Sequence, residues 1–320
     1  MKYIISKVLR CVAFLLVLAS LLMLVSFGFA PKNNLSEDGM DNIEANGILG
    51  EKTNTIDVLI VGDSESYSSV SPMQMWNEYG FTSYVCGTPS QKLTLALQFV
   101  EQGFKHHSPK VVILETNAIF REYRFSNYIL SRAESLFPIF KFHNRWKTMK
   151  WHDLCSDITY TWTDIYKGFR YNASIQEADS SQYMHYTDEI QDISNWNLQC
   201  LKQIKQICED NNAQLLLVST PSTVNWNYAK HNGVQEYAEN NGLKYIDMNL
   251  MPEEIPIDWK RDTRDKGDHL NYYGAVKVSG YLGKYLKDQY EIADHRNDKE
   301  YVQWNHDFNK YQTVTGQSKG

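Results

Sequence analysis

The chain has 320 residues, of which 42% are hydrophobic, 22% charged and 13% aromatic, proportions that exclude a disordered or collagen-like polypeptide. Its formal charge is −6; residues 1–30 hold Lys2, Lys7 and Arg10 and no acid, so the remainder carries 29 basic against 38 acidic groups. A body of that sign repels a phosphate backbone, and no cluster of cations interleaved with aromatics offsets it, so nucleic acid is excluded as a partner.

Residues 1–10 are a short basic segment expected in the cytoplasm. From Cys11 to Ala30 no charge interrupts an apolar run. About 20 residues rising ~1.5 Å each cross the ~30 Å hydrocarbon layer of a bilayer, so 11–30 is predicted as a transmembrane anchor. Gly28-Phe29-Ala30 resembles the small-x-small site of a cleaved secretory signal, but the run is longer than a signal core and Pro31 follows at once, which favours an uncleaved span. With the basic flank inside, residues from about 31 onward lie outside the cell membrane. A polar tether, 31–55, comes next.

Ile56-Asp57-Val58-Leu59-Ile60-Val61 reads as a strand buried on both faces, ending at Gly62. Similar runs recur at Ser83–Cys86, Lys110–Leu114, Gln214–Ser219 and Lys244–Met248, with helix-like stretches between them at 91–106, 195–211, 232–241 and 274–289. The alternation predicts an α/β fold over 56–290, a flavodoxin-like three-layer sandwich with a central parallel sheet of about five strands, whose ligands sit at the carboxyl ends of the strands. An aromatic-rich stretch, about 119–195, interrupts the pattern and reads as a helical insertion. Its Trp146, Trp151, Tyr160, Trp162, Tyr166, Phe169 and Tyr171 fit a satellite core, with sugar stacking as the rival reading. Residues 291–320 are polar with scattered aromatics such as Tyr301, Trp304 and Tyr311, and fit a tail or a strap. The five cysteines lack zinc spacing and read as structural thiols.

The strand ends carry chemistry. Gly62-Asp63-Ser64 places a serine after a tight turn, at the start of a helix whose N–H groups face an anion. Late in the chain, Asp265-Lys266-Gly267-Asp268-His269-Leu270-Asn271 supplies an imidazole with carboxylates nearby, which is what activates a serine hydroxyl. Other histidines have weaker claims; His106 and His107 end a helix, where positive charge complements the dipole.

With these motifs in place, the chain resembles the SGNH/GDSL hydrolase superfamily from about Ile56 to Tyr290. Ser64 in Gly62-Asp63-Ser64 matches the family's nucleophile, Gly87 in Tyr84-Val85-Cys86-Gly87 its second-motif glycine, Asn117 in Leu114-Glu115-Thr116-Asn117 its third-motif asparagine, and His269 its histidine. The resemblance implies that the Ser64 and Gly87 N–H groups and the Asn117 amide bind an oxyanion, with no metal and no cofactor. The chain departs from the family in three places. Glu65 replaces the usual leucine, which touches packing more than chemistry. Glu115 and Ala118 stand where glycine and aspartate are usual. Lys266 occupies the position of the family aspartate three residues before the histidine, leaving Asp265 or Asp268 to orient His269; Asp265 is favoured because adjacent side chains in a loop seldom converge, and a Ser64–His269 dyad is the fallback.

Two functional classes follow. The single anchor and acidic body resemble SGNH proteins that work beside membrane-bound O-acyltransferases on surface polysaccharides. That implies an extracytoplasmic serine esterase or O-acyltransferase, an acylated carbohydrate substrate and a membrane-bound O-acyltransferase partner. The alternative is a non-catalytic glycan-binding or scaffold module, which the altered third motif and Lys266 favour.

Overall fold

A computed structural model describes residues 2–122 and 125–316; Met1 of the basic segment, residues 123 and 124 of the insertion and residues 317–320 of the polar tail lie outside the described residues. The helices of eight residues or more are α1 (Lys2–Phe29), α2 (Pro72–Tyr79), α3 (Leu93–His106), α4 (Phe125–Leu136), α5 (Asn195–Asp210), α6 (Tyr228–Asn241), α7 (Tyr272–Gln289) and α8 (Val302–Thr315). The strands are β1 (Val58–Gly62), β2 (Ser83–Gly87), β3 (Val111–Glu115), β4 (Gln214–Ser219) and β5 (Lys244–Asp247). The described residues fall into two compact units, one of 2–43 with 125–162 and one of 44–122 with 163–316.

The larger unit is the α/β body. Its five strands pair in the order β2-β1-β3-β4-β5, every pair parallel, the order and direction that βαβ crossovers with helices on both faces produce. Alternation along the strands sends Val58, Ile60, Val85, Val111, Ile113, Leu216, Val218 and Ile246 to one face. There they share a core with Val278, Leu282 and Leu286 of α7 and Met75 of α2. Leu59, Val61, Val112, Leu114 and Leu217 are equally buried and point to the other face, where α3 and α5 pack on each other. Three layers result, with the strand carboxyl ends along one edge.

Residues 44–55, within the stretch read as a tether, are built into this body: Ile48 and Leu49 are buried, and the Tyr84 hydroxyl donates to the Glu44 carbonyl at 2.8 Å. The polar carboxyl-terminal stretch contains α8, whose Trp304 ring lies 5.3 Å from Trp76 of α2 and whose Tyr311 hydroxyl is 3.0 Å from Ser71 Oγ. That contact is the strap of the two readings above. The insertion is helical over its first half: α4 is followed by short helices at Ile139–Phe142, His143–Lys147 and Trp151–Leu154, and 155–193 holds no helix. Its aromatics divide between the units. Phe169 is buried and Tyr171 packs edge-on to Tyr272 at 5.2 Å in the α/β body, whereas Trp146 and Trp151 of the smaller unit are exposed.

The smaller unit contains α1, which is long and apolar enough to cross a membrane. None of the five cysteines is in a disulfide; Cys86, Cys200 and Cys208 are buried, and burial pushes Cys208 up to about 12.

Candidate active site

The carboxyl end of β1 delivers Ser64. Asp63 caps the short helix Ser64–Ser69, its Oδ1 accepting the Glu65 N–H at 3.0 Å. The neighbouring strand ends come close because of two glycines: a Cβ on Gly62 would stand 2.5 Å from Glu115 Cβ, and one on Gly87 2.4 Å from Ser66 Oγ. Ser64 is buried to 7% exposure, and burial raises the pKa of the nearby Tyr67 hydroxyl.

The loop before α7 brings His269 to the same edge. Lys266 and Gly267 are both left-handed, at φ 60° and 91°, and the Arg264 N–H donates to the His269 carbonyl at 3.1 Å. This reversal folds Asp265 back onto His269. Asp265 Oδ1 accepts the His269 backbone N–H at 2.7 Å and Oδ2 lies 2.8 Å from Nδ1, while Asp268 Oδ2 is 3.5 Å away. Lys266, where the resemblance expects an aspartate, is therefore the turn residue that makes room for Asp265. Arg264 Nη2 donates to Ser68 Oγ at 2.6 Å, which pins the loop over the Ser64 helix. His269 Nε2 is buried and has no hydrogen-bond partner, so it makes no hydrogen bond with Ser64 Oγ here.

A buried polar cluster lies beneath. Asn117 Nδ2 donates to Asp63 Oδ2 at 2.9 Å and its Oδ1 accepts from Lys230 Nζ at 3.1 Å. Arg121 pairs with the same Asp63 Oδ2 at 2.7 Å. Burial, then the Asp63 charge, holds Glu115 well above the usual carboxylate range; burial, then Arg121, lowers Lys230. Asn117 is thus clamped between an acceptor and a donor, with one of its two amide hydrogens spent on Asp63.

Glu65 is the departure that matters most. It is 1% exposed. Its Oε1 accepts from Asn225 Nδ2 at 2.6 Å while Oε2 has no partner, and its carboxylate, Asp268 and His269 offer ligand atoms within 4.8 Å of one another. Among the described residues those three side chains are a group of donors that could hold a cation, although Asp265 already occupies His269 Nδ1. Burial, then Asp63 and Glu115, raises the Glu65 pKa well above normal, so it stays protonated where the unfolded chain, at a pKa of about 4.3, has released its proton. The folded state then binds more protons than the unfolded state, and stability falls as pH rises, by up to about 1.4 kcal/mol per pH unit for this one group. Glu65→Gln should remove that slope: thermal unfolding in detergent should show the variant gaining more on the unsubstituted protein at pH 8 than at pH 5. Equal differences at both pH values would mean that Glu65 is ionised in the fold.

Sequence reasoning missed Arg121, Asn225 and Lys230, which belong to no motif; Glu65 was visible as a carboxylate one residue after the serine. One expectation needs correcting. His107 Nε2 is 3.1 Å from the Ile48 carbonyl and burial pushes its pKa down to about 4, so the ring is neutral near pH 7 and lends no charge to the helix end. A second imidazole–carboxylate pair, His231 Nδ1 with Asp247 Oδ2 at 2.9 Å, is committed elsewhere, since Trp226 Nε1 and the Tyr245 hydroxyl also donate to that oxygen.

No protein-family model and no curated protein matches the chain. Solved structures to which it is similar include a GDSL-like lipase from Bacteroides thetaiotaomicron, with 10% identity, a TM-score of 0.37 and coverage of 73% of this chain and 88% of that one. The psychrotrophic esterase EstA from Pseudoalteromonas sp. is another, with 10% identity, a TM-score of 0.39 and coverage of 72% and 96%. A third is the C-terminal catalytic domain of peptidoglycan O-acetyltransferase A from Streptococcus pneumoniae, with 10% identity, a TM-score of 0.36 and coverage of 75% and 97%.

Proposed function

We propose that the chain is a membrane-anchored extracytoplasmic serine esterase or O-acyltransferase that passes an acyl group through Ser64, acting on acetyl esters of a cell-surface polysaccharide. The observation that carries this reading is the His269 ring: Nδ1 is held by Asp265 at 2.8 Å while Nε2 is buried and unpartnered, on a loop pinned to the Ser64 helix. An imidazole oriented on one nitrogen and free on the other is a general base awaiting a proton.

In the proposed reaction Ser64 Oγ attacks the acyl carbonyl carbon and its proton passes to His269 Nε2. The tetrahedral oxyanion sits against the Ser64 and Gly87 N–H groups and the second hydrogen of the Asn117 amide, which Asp63 and Lys230 hold in place. Collapse expels the alcohol, which takes the proton from Nε2, and leaves acyl-Ser64. A water molecule, in an esterase, or a sugar hydroxyl, in a transferase, then attacks the acyl carbon as its proton passes to Nε2; the bond to Ser64 Oγ breaks, and Ser64 takes that proton back from Nε2. Incubation with p-nitrophenyl acetate should give a burst of nitrophenol and an acetyl mass increment on the peptide containing Ser64. An increment on another peptide, or none with no turnover, overturns the reading.

Asp265, not Asp268, is the orienting carboxylate in this scheme. It bonds both the backbone and the ring of His269, whereas Asp268 Oδ1 is engaged by Asn225. Asp265→Asn should lower kcat by about 10²-fold, less than the loss seen when a fully buried triad aspartate is altered because Asp265 is partly solvated, and Asp268→Asn by less than about tenfold. Steady-state kinetics of the two variants decide between them, and the reverse ranking would assign Asp268.

A further inference from the structure

The smaller unit has a feature that the proposed chemistry does not use. Its residues 139–154 are built onto the last turn of α1. The Ile139 N–H donates to Ser26 Oγ at 3.3 Å. Arg145, 6% exposed, donates through Nη1 to the Phe29 and Ala30 carbonyls at 2.8 and 2.6 Å and is balanced by Asp153 at 3.6 Å. Leu154 lies against Gly28, where an added Cβ would come within 2.8 Å of it. Arg145 thus closes the carboxyl-terminal carbonyls that every helix leaves open. These contacts hold the segment level with the end of the apolar run.

On that segment and on α4, large apolar side chains face outward: Ile129 and Leu130 at 50% exposure each, Leu136 at 67%, Phe140 at 43%, Trp146 at 65% and Trp151 at 89%. Helix α4 has no buried residue. An apolar surface of this extent is unusual on a water-facing protein. Its charge is also unlike the rest of the chain. Residues 125–154 carry Arg132, Lys141, Arg145, Lys147 and Lys150 against Glu134 and Asp153, a positive stretch in an acidic molecule. Tryptophans interleaved with lysines at the end of a membrane span are the composition that settles at the headgroup level.

We infer that residues 129–151 form a collar seated in the outer headgroup layer of the membrane around the exit of α1, with anionic phospholipid as its occupant. The inference rests on α1 remaining uncleaved, as the proposed function assumes. Its physical content is twofold: the apolar side chains enter the acyl boundary because α1 fixes their depth, and Lys141, Lys147 and Lys150 meet lipid phosphates.

The test uses the full chain reconstituted in phosphatidylcholine–phosphatidylglycerol nanodiscs containing brominated lipid. Bromine should quench the intrinsic fluorescence, and the double variant Trp146→Phe, Trp151→Phe should lose most of that quenching while unfolding at the same temperature. Trp151 is almost fully exposed, so the exchange disturbs no packing. Replacing phosphatidylglycerol by phosphatidylcholine should weaken quenching of the unsubstituted protein. Equal quenching of protein and double variant would overturn the collar and leave the patch to a protein partner. N-terminal sequencing of the same preparation separates the two failures: a chain beginning at residue 31 removes the anchor, whereas an intact N-terminus without quenching removes the collar alone.

Discussion

Ser64→Ala is expected to reduce kcat/KM for p-nitrophenyl acetate by about 10⁴-fold, roughly 5.5 kcal/mol of barrier, because no other group in the proposed scheme forms the covalent intermediate. His269→Ala should cost a similar factor, and the double variant little more, since nucleophile and base act as one unit. The residual rate would reflect the Gly87 and Asn117 donors alone. Folding is not expected to suffer: alanine removes one hydroxyl at a helix start whose cap is Asp63, and thermal unfolding should match that of the unsubstituted protein. Esterase activity within tenfold of normal in Ser64→Ala would end the acyl-serine reading and favour the glycan-binding alternative. Surface polysaccharide from cells carrying the variant should change in acetyl content.

The second large effect is on stability. Lys167 is fully buried, and its Nζ donates to Glu51 Oε1 at 2.8 Å and to Asp307 Oδ2 at 2.6 Å, beneath the Trp304 ring at 4.8 Å. Burial pulls the ammonium pKa down, and the two carboxylates more than restore it, leaving it raised. One cation thus joins the segment before β1 to α8. Lys167→Met leaves two buried carboxylates without a counter-charge, which should cost about 3–5 kcal/mol, or about 10 °C in Tm for a body of this size. Adding Glu51→Gln and Asp307→Asn should recover much of the loss, because a neutral cluster needs no counter-ion. A loss of less than about 1 kcal/mol in the single variant, with no recovery in the triple, would show that the carboxylates take up protons or water instead.

Most of the architecture is legible locally. Runs such as Lys110–Leu114 and Gln214–Ser219 are apolar on both faces, and only a doubly covered parallel sheet buries such strands. Ser64 and His269 are candidates on local grounds too: Gly62-Asp63-Ser64 and the stretch from Asp265 to His269 are short, and the chemistry proposed for them rests on residue types at fixed spacing. The apolar run of Cys11–Ala30 is legible as well, because being long and apolar enough to cross a membrane is a property of length and composition.

What tertiary structure alone decided depends on partners distant in sequence. Sequence favours Asp265 over Asp268, but the left-handed turn at Lys266 and Gly267 that folds Asp265 onto His269 is visible only in the assembled chain. Glu65 looked like a packing change until burial beside Asp63 and Glu115 held its proton, because a pKa is set by every charge around a group and not by its neighbours in the chain. The carboxyl-terminal stretch reads as polar, yet Asp307 and Trp304 close over Lys167 from a distance of 140 residues. Periodicity within a segment reports which face is apolar; only the assembled fold reports which charge waits on the other side.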